Sequence, residues 1–361
     1  MFKKLKSVSI GLLAGANVAT ILVMLLFGFA GYISPTSHAT ISSLGFLFPF
    51  AALANLLFLF FWLVFKWRMA LIPFVGFLIA YVPMRAYMPL NLPSSHPEGS
   101  IKLLSYNVGG YSSMPDSSDA FSEIFSYIRD SKADIVCLQE DNDTWRKSEA
   151  RFDSLFAYND LEQVNDSSSK IINRLGIHTR YPILRKERIM YKSLRNGSVA
   201  WFLQVGNDTL IVINNHLEST HLTKDDRNQY NLLVHGEVKG DTIRTESRRL
   251  LTVFSESSIK RAPATEAVHS YIEAHKGYNI VVCGDFNDHP LSYTRYTLAR
   301  GMTDCFVATG NGLGVSFNRY GMYFRIDHIL CSKNIQPYEC KIDAKIDASD
   351  HYPLICWLKI G

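Results

Sequence analysis

Along this 361-residue chain, the side chains best suited to move protons recur at one kind of place, the end of a short apolar run. In the run 103–108, Leu103, Ser105 and Asn107 alternate with Leu104, Tyr106 and Val108, which puts Asn107 at a strand's exit on the face opposite Tyr106. The run 135–139 leads into the carboxylate of Glu140, and the run 211–215 into the imidazole of His216. The run 280–283 passes through Gly284 into Asp285 and Asn287. Asp327 beside His328, and Asp350 beside His351, complete the set. Carboxylates, carboxamides and imidazoles delivered to the ends of five strands describe a site built at one edge of a sheet sandwich. Singly, each has an ordinary explanation. An Asn or Asp after a strand is commonly a turn former, Glu140 can be solvated, His216 can be a packed imidazole, and Asp350 with His351 can be a turn before the last strand. Their succession, each after a β run, is what points to a site.

The elements that must carry these groups alternate short apolar runs with amphipathic stretches, the pattern of an α/β fold. Strands are predicted over 101–108, 134–139, 200–205, 209–214, 279–283, 325–331 and 352–357, and helices over 119–131, 244–275 and 293–300. Arg325, two residues before Asp327, is expected by alternation to face the site as Asp327 does. The segment 220–261 is longer than a simple connection, and Arg248, Arg249 and Arg261 within it are candidates to meet an anionic substrate, against the simpler reading of a solvated helix face.

Upstream of this region the chain changes character. Residues 1–97 contain no Asp or Glu and six basic residues, Lys3, Lys4, Lys6, Lys66, Arg68 and Arg85. The other 264 residues hold all 33 acids and 31 of the 37 bases, so the formal charge of +4 separates into +6 and −2. The overall basicity is therefore no nucleic-acid footprint, because the excess positive charge flanks apolar segments; 47% hydrophobic residues also exclude intrinsic disorder. Uncharged stretches over 8–32 and 39–65 exceed the roughly 20 residues a helix needs to cross a bilayer. A third segment, 69–84, is shorter and carries two prolines, but a snorkelling Arg85 lets it run on towards residue 92. An uncleaved anchor of three spans suits this better than a cleaved signal peptide, since no small-residue cleavage pattern closes the first segment. Lys and Arg stay on the cytoplasmic side of short loops. They precede the first span and separate the second from the third, which places the large carboxy-terminal part on the extracytoplasmic side; with only two crossings it faces the cytoplasm. The expected division is a membrane anchor over 1–97 and a catalytic domain over 98–361, joined by an exposed Pro/Ser-rich linker near 91–100. The six cysteines, Cys137, Cys283, Cys305, Cys331, Cys340 and Cys356, show no metal-site spacing, and most sit in apolar runs, so buried free thiols are expected.

Seven motifs together resemble the endonuclease/exonuclease/phosphatase family over about 98–361: Ser105 to Val108, Leu138 to Glu140, Arg180 to Ile183, Asn215 to Glu218, Gly284 to Asp288, Arg325 to Ile329 and Ser349 to Pro353. The resemblance implies a four-layer α/β sandwich of two mixed sheets with helices outside. It also implies a metal site at Glu140 with Asn107, completed by Asp350, whose hard oxygen donors suit Mg²⁺ or Mn²⁺. Asp285 and Asn287 then orient the attacking water, His216 donates to a phosphoryl oxygen, and Asp327 holds His351, with the general base left open between Asp285 and His351. The substrate is a phosphate ester, either nucleic acid or a lipid head group, and the bilayer is the other partner; nothing in the sequence calls for a protein partner. Phe324, Arg325 and Ile326 stand where phosphoinositide 5-phosphatases carry a Trp-Cys pair before the Asp, which weakens that reading. A catalytically silent binding domain is the alternative of another class, and the competent residue at every catalytic position argues against it.

Overall fold

The computed structural model describes residues 2–111, 120–142, 152–166, 168–169, 172–220, 222–237, 241–319 and 321–361; the side chains of 2–6 and 241 lie outside that description. The amino-terminal part forms α1 (Phe2–Gly28), α2 (Pro35–Ser42), α3 (Phe48–Phe65), α4 (Leu71–Ile79) and α5 (Tyr81–Tyr87). Ser7–Tyr32 and Pro35–Phe65 are each long and apolar enough to cross a membrane, and Trp67–Ile79 with Tyr81–Tyr87 make a third such segment bent by 67°. Lys3, Lys4 and Lys6, on which part of the orientation argument rests, have their side chains outside the described residues.

Fourteen strands follow among the described residues. The first five are β1 (Ile101–Asn107), β2 (Ile135–Gln139), β3 (Tyr158–Gln163), β4 (Arg174–Thr179) and β5 (Ile183–Ile189), with α6 (Ala120–Ser131) between β1 and β2. Then come β6 (Gly197–Val205), β7 (Asp208–His216), α7 (Lys224–Val234), α8 (Asp241–Ala274) and β8 (Asn279–Asp285). The chain closes with α9 (Tyr293–Leu298), β9 (Met302–Asp304), α10 (Cys305–Thr309), β10 (Phe317–Arg319), β11 (Met322–Phe324), β12 (Asp327–Ser332), β13 (Ile335–Ile342) and β14 (Leu354–Ile360). One sheet has the order β13-β14-β1-β2-β4-β3 and the other β5-β6-β7-β8-β12-β9, with β10-β11 a separate hairpin. Both are mixed: β1 runs parallel to β2 and β7 parallel to β8, while the other pairs are antiparallel. This is the expected α/β sandwich.

Strand alternation builds its layers. Leu103 faces the other sheet, in a core with Cys137, Trp201, Val212 and Val281. Leu104, Tyr106 and Val108 face outward against Ile124 and Ile128 of α6, an amphipathic helix whose apolar residues recur four apart. Ala264, Val268 and Ile272 of α8 cover the second sheet in the same way. Between the sheets, Gln139 Nε2 donates to Asn214 Oδ1 at 2.7 Å, and Asn214 Nδ2 donates to the carbonyls of Leu138 and Gly176. These bonds fix one sheet against the other one residue short of Glu140. All six cysteines are free and buried, as expected.

Several boundaries differ from expectation. The strands β3, β5 and β13 escape a reading by apolar runs because they are polar-rich, and β13 also contains Pro337. The strand expected from 325 begins at Asp327, so alternation does not govern Arg325. Its side chain is buried, lies 4.4 Å over the Phe306 ring, and donates to the carbonyls of Leu313 and Ala86. The linker is exposed over 92–95 but strapped at both ends: Asn91 donates to Val307 O, and the His96 ring stacks on Trp357 at 3.8 Å.

Candidate active site

The strand registers bring the polar groups together. In the second sheet His216 lies opposite Asp285 across β7–β8, and Asp285 opposite Asp327 across β8–β12. In the first, Asn107 lies opposite Gln139, one residue before Glu140. His351 sits ahead of β14 and bridges to Phe317 of the hairpin. The residues expected from sequence thus share one edge of the sandwich, at the floor of a cleft of about 500 Å³ lined by Glu140, His216, Asp285, Asn287, Asp350 and His351 among others.

His351 Nδ1 donates to Asp327 Oδ2 at 2.8 Å, which turns Nε2 towards Asp285 Oδ2, 3.7 Å away. Burial disfavours the imidazolium, but the carboxylates of Asp327 and Asp285 outweigh it and hold the His351 pKa well above the usual imidazole range. Burial lifts the Asp285 carboxyl to about 6, with His351 pulling against it and Asp327 adding to the rise. His216 is oriented by Asn173, whose amide nitrogen donates to Arg195 O at 2.7 Å and faces His216 Nδ1 at 2.9 Å. The carbonyl requires that nitrogen to be the donor, so Nδ1 accepts and Nε2 carries the proton. That Nε2–H lies 3.6 Å from Glu140 Oε1 and 3.8 Å from Asp285 Oδ2.

Carboxamides brace the carboxylates. Asn107 Nδ2 donates to Glu140 Oε1 at 3.2 Å and to Asp285 Oδ2 at 3.1 Å, while its oxygen accepts from Gly109 N. Asn287 donates to Asp285 Oδ2 and to Leu217 O, and its backbone N–H donates to Asp285 Oδ1 at 2.7 Å. Glu140 and Asn287 both hold left-handed backbone, φ +53° and +52°, conformations that cost energy for residues with a side chain and gather at functional sites. Asp350 is half-buried beside them, and Ser349 Oγ donates to Asn107 O at 2.7 Å, tying the approach to β14 to the end of β1 in the same sheet.

Of the expected arginines, Arg261 is 2% exposed, paired with Asp288 at 2.6 Å and bonded to Glu218 O, so it is closed to substrate. Arg249 pairs with Asp226 at 2.9 Å. Arg325, as above, points away from the cleft and holds the amino-terminal part in place. Two participants escaped the sequence reading. Asn173 lies in a polar loop with no periodicity, and Phe46, which lines the cleft, lies inside the second apolar segment, in the short turn Ser43–Leu47 just ahead of α3.

Two packed mixed sheets with paired carboxylates and imidazoles at one edge have the form of a phosphoesterase. The sequence profile of the endonuclease/exonuclease/phosphatase family matches residues 104–351. The chain belongs to that family, whose members are hydrolases of phosphate esters. Residues 10–87 match a second profile, described as a domain of unknown function. No curated protein matches the chain. Solved structures show the same fold at low identity. The human Nocturnin catalytic domain with bound sulfate aligns at a TM-score of 0.50 and 13% identity, over 75% of this chain and 97% of that one. An endonuclease/exonuclease/phosphatase family protein from Leptotrichia buccalis aligns at 0.52 and 13%, over 72% and 99%.

Proposed function

We propose that the chain is a divalent-metal-dependent phosphodiesterase or endonuclease, with residues 98–361 as catalytic domain and 1–97 as a three-span anchor that keeps this domain on the extracytoplasmic side. The observation that carries the chemistry is the Asp327–His351 pair facing Asp285, with Glu140 alongside on the cleft floor. Glu140, whose side chain is 35% exposed, and Asp350 offer oxygen donors of the hard type that Mg²⁺ or Mn²⁺ prefers, and the thiols are all buried in the core. Asn107 braces Glu140 and keeps a second lone pair on its amide oxygen for a cation. The ligand atoms of Asp285, Asp327 and His351 also lie within 4.8 Å of one another, but Asp327 and His351 Nδ1 already satisfy each other, so the open position is at Glu140. A bound cation supplies charge neutralisation at the phosphoryl oxygens.

The protein's own groups divide the remaining work. Asp285, held by Asn107 and Asn287, accepts a proton from the attacking water. The water oxygen bonds to phosphorus as the opposite P–O ester bond breaks, and the leaving oxygen takes a proton from solvent. His351, kept cationic by Asp327, and His216 through Nε2–H stabilise the charge on the phosphoryl group. This assigns the base to Asp285 because the neighbouring carboxylates favour the protonated form of His351, whose Nδ1 is already engaged by Asp327. The three-crossing arrangement is supported by contact. The connection after α1 and the end of α5 both meet the catalytic domain, whereas Lys66 and Arg68 lie between α3 and α4, at the opposite ends of those helices.

The test uses the full chain in detergent with bis(p-nitrophenyl) phosphate. Chelation is expected to abolish hydrolysis, and Glu140→Gln to raise the Mg²⁺ or Mn²⁺ needed for half-maximal rate at least tenfold. Full activity in excess chelator would reject the metal assignment; a folded protein inert with either metal would favour the silent binding domain.

A further inference from the structure

The catalytic cleft is not closed by the catalytic domain alone. The Phe46 ring, from the connection that joins α1 to α3, stacks on Phe254 of α8 at 4.3 Å and lies 4.1 Å from the His289 ring and 5.6 Å from Phe324. Phe254, Phe317, Met322 and Phe324 continue this apolar wall above the polar floor. Phe46 and Phe324 also line a narrow groove that leads to Tyr87 at the end of α5 and to Leu313 and Tyr323, large apolar side chains that are 49% and 62% exposed. The cleft and the groove thus meet at Phe46 and Phe324, and the groove ends at Tyr87 of α5.

The docking of this connection is written into its glycines. A Cβ on Gly31 would lie 2.3 Å from Leu291 O and 2.5 Å from the Tyr296 ring, and one on Gly45 would lie 2.5 Å from the His289 ring. Only a residue without a side chain lets the backbone approach so closely. Met24, Phe48, Ala80 and Ala86 then share a buried cluster with Leu291 and Tyr296 of the catalytic domain.

Resting on the phosphoesterase reading above, we propose that the substrate is a phospholipid of the bilayer, with its phosphate ester at the polar floor and the apolar portion next to the head group against the Phe46 wall. An apolar wall adds binding energy in proportion to the apolar area it covers, about 25 cal/mol per Å². A polyanionic strand gains its affinity from cations, and residues 98–361 carry a formal −2. A lipid also reaches this wall along the span ends without leaving the membrane. The reaction remains hydrolysis: water adds to phosphorus, one P–O ester bond breaks, and the leaving alcohol ends protonated.

The experiment reconstitutes the full chain in nanodiscs of phosphatidylethanolamine, phosphatidylglycerol and sphingomyelin, and compares lipid turnover with that of bis(p-nitrophenyl) phosphate and single-stranded DNA. The wild type is expected to hydrolyse at least one of the lipids. The ratio of lipid to soluble-diester turnover is expected to fall at least tenfold in Phe46→Ala and in Gly31→Val, which displaces the connection from outside the cleft. A parallel measurement needs no variant: in chelator, a phospholipid with a photoreactive acyl chain is expected to label the peptides containing Phe46 or Phe324. Turnover of the soluble diester or DNA with none of the lipids, an unchanged ratio in both variants, or label confined to the outward faces of α1 and α3 would overturn the lipid assignment and leave the phosphoesterase reading standing. Loss of all turnover in the wild type would overturn both.

Discussion

The amino-terminal apolar helices and the site edge each bury a cluster of polar side chains, and they treat them in opposite ways. Between α1 and α3, Asn17 Nδ2 donates to Asn55 Oδ1 at 3.2 Å and Trp62 Nε1 donates to Asn17 Oδ1 at 3.1 Å. Thr20 Oγ1 donates to Asn55 Oδ1, and Asn55 Nδ2 donates to the carbonyls of Thr20 and Ala51. Each amide nitrogen and oxygen of the pair has at least one partner. At the catalytic edge, Asp285 and Asp327 are buried beside the imidazoles of His216 and His351, Glu140 is left partly open, and Glu140 and Asn287 hold costly backbone. The contrast follows from what each cluster is for. In hydrocarbon an unpaired polar group has no water to turn to, so a network that holds helices together must close on itself. A site that binds an anion and moves a proton must leave charge uncompensated until substrate arrives, and the fold carries that cost.

Three measurements would sharpen or break this contrast. The largest effect is expected for Asp285→Asn, which removes the proposed proton acceptor: turnover should fall by about 10²–10⁴-fold, the usual worth of a general base. The thermal midpoint should hold or rise, because a buried carboxylate pressed towards other carboxylates is relieved. A collapse of the fold would instead make Asp285 a structural residue.

Next in size is the imidazole pair. His351→Ala should be severe, Asp327→Asn milder, and the double variant scarcely worse than His351→Ala alone, since groups acting as a unit are not additive. The pH profile gives a separate readout. Activity should rise with pH through about 6 as Asp285 ionises, and fall again at the alkaline side as His351 loses its proton. Because Asp327, ahead of Asp285, does most to raise the His351 pKa, Asp327→Asn should move the alkaline limb to lower pH. An unmoved limb, or additive rate losses, would reject the pairing.

The smallest effect is expected between the apolar helices α1 and α3. Asn55→Leu removes the acceptor of Asn17 Nδ2, while Thr20 Oγ1 keeps Asn17 O and Asn17 Oδ1 keeps Trp62, and should cost about 1–2 kcal/mol, the range measured for such interhelical bonds at most. Turnover at saturating soluble diester should stay within twofold. A catalytic loss as large as that of Asp285→Asn would show that the two clusters are not separable.

Much of the site was legible because strand ends are local features. Asn107, Glu140, His216, Asp285, Asn287, Asp327, Asp350 and His351 each follow or begin a β run, and the structure brings all of them to one edge. The side chains that alternation placed inside and outside β1 lie there, because pleating depends on neighbouring residues alone. The apolar spans were equally plain, since a run of uncharged residues longer than a bilayer is thick needs no partner to be recognised.

What the sequence by itself determined, then, is whatever short-range periodicity and composition control: two apolar spans, an α/β domain, and the set of groups that a sheet edge can present. Tertiary structure alone decided where the long side chains went. Arg325 turns back to carry Ala86, 239 positions away in the chain, Arg261 closes on Asp288 and Glu218 O, and Asn173 reaches His216 to set its proton. It also decided that Phe46, in an apolar stretch like any other, becomes a wall of the catalytic cleft. The reason is physical: a flexible or apolar side chain takes the partner that packing brings to it, and contacts made across two hundred residues leave no periodic trace in the sequence.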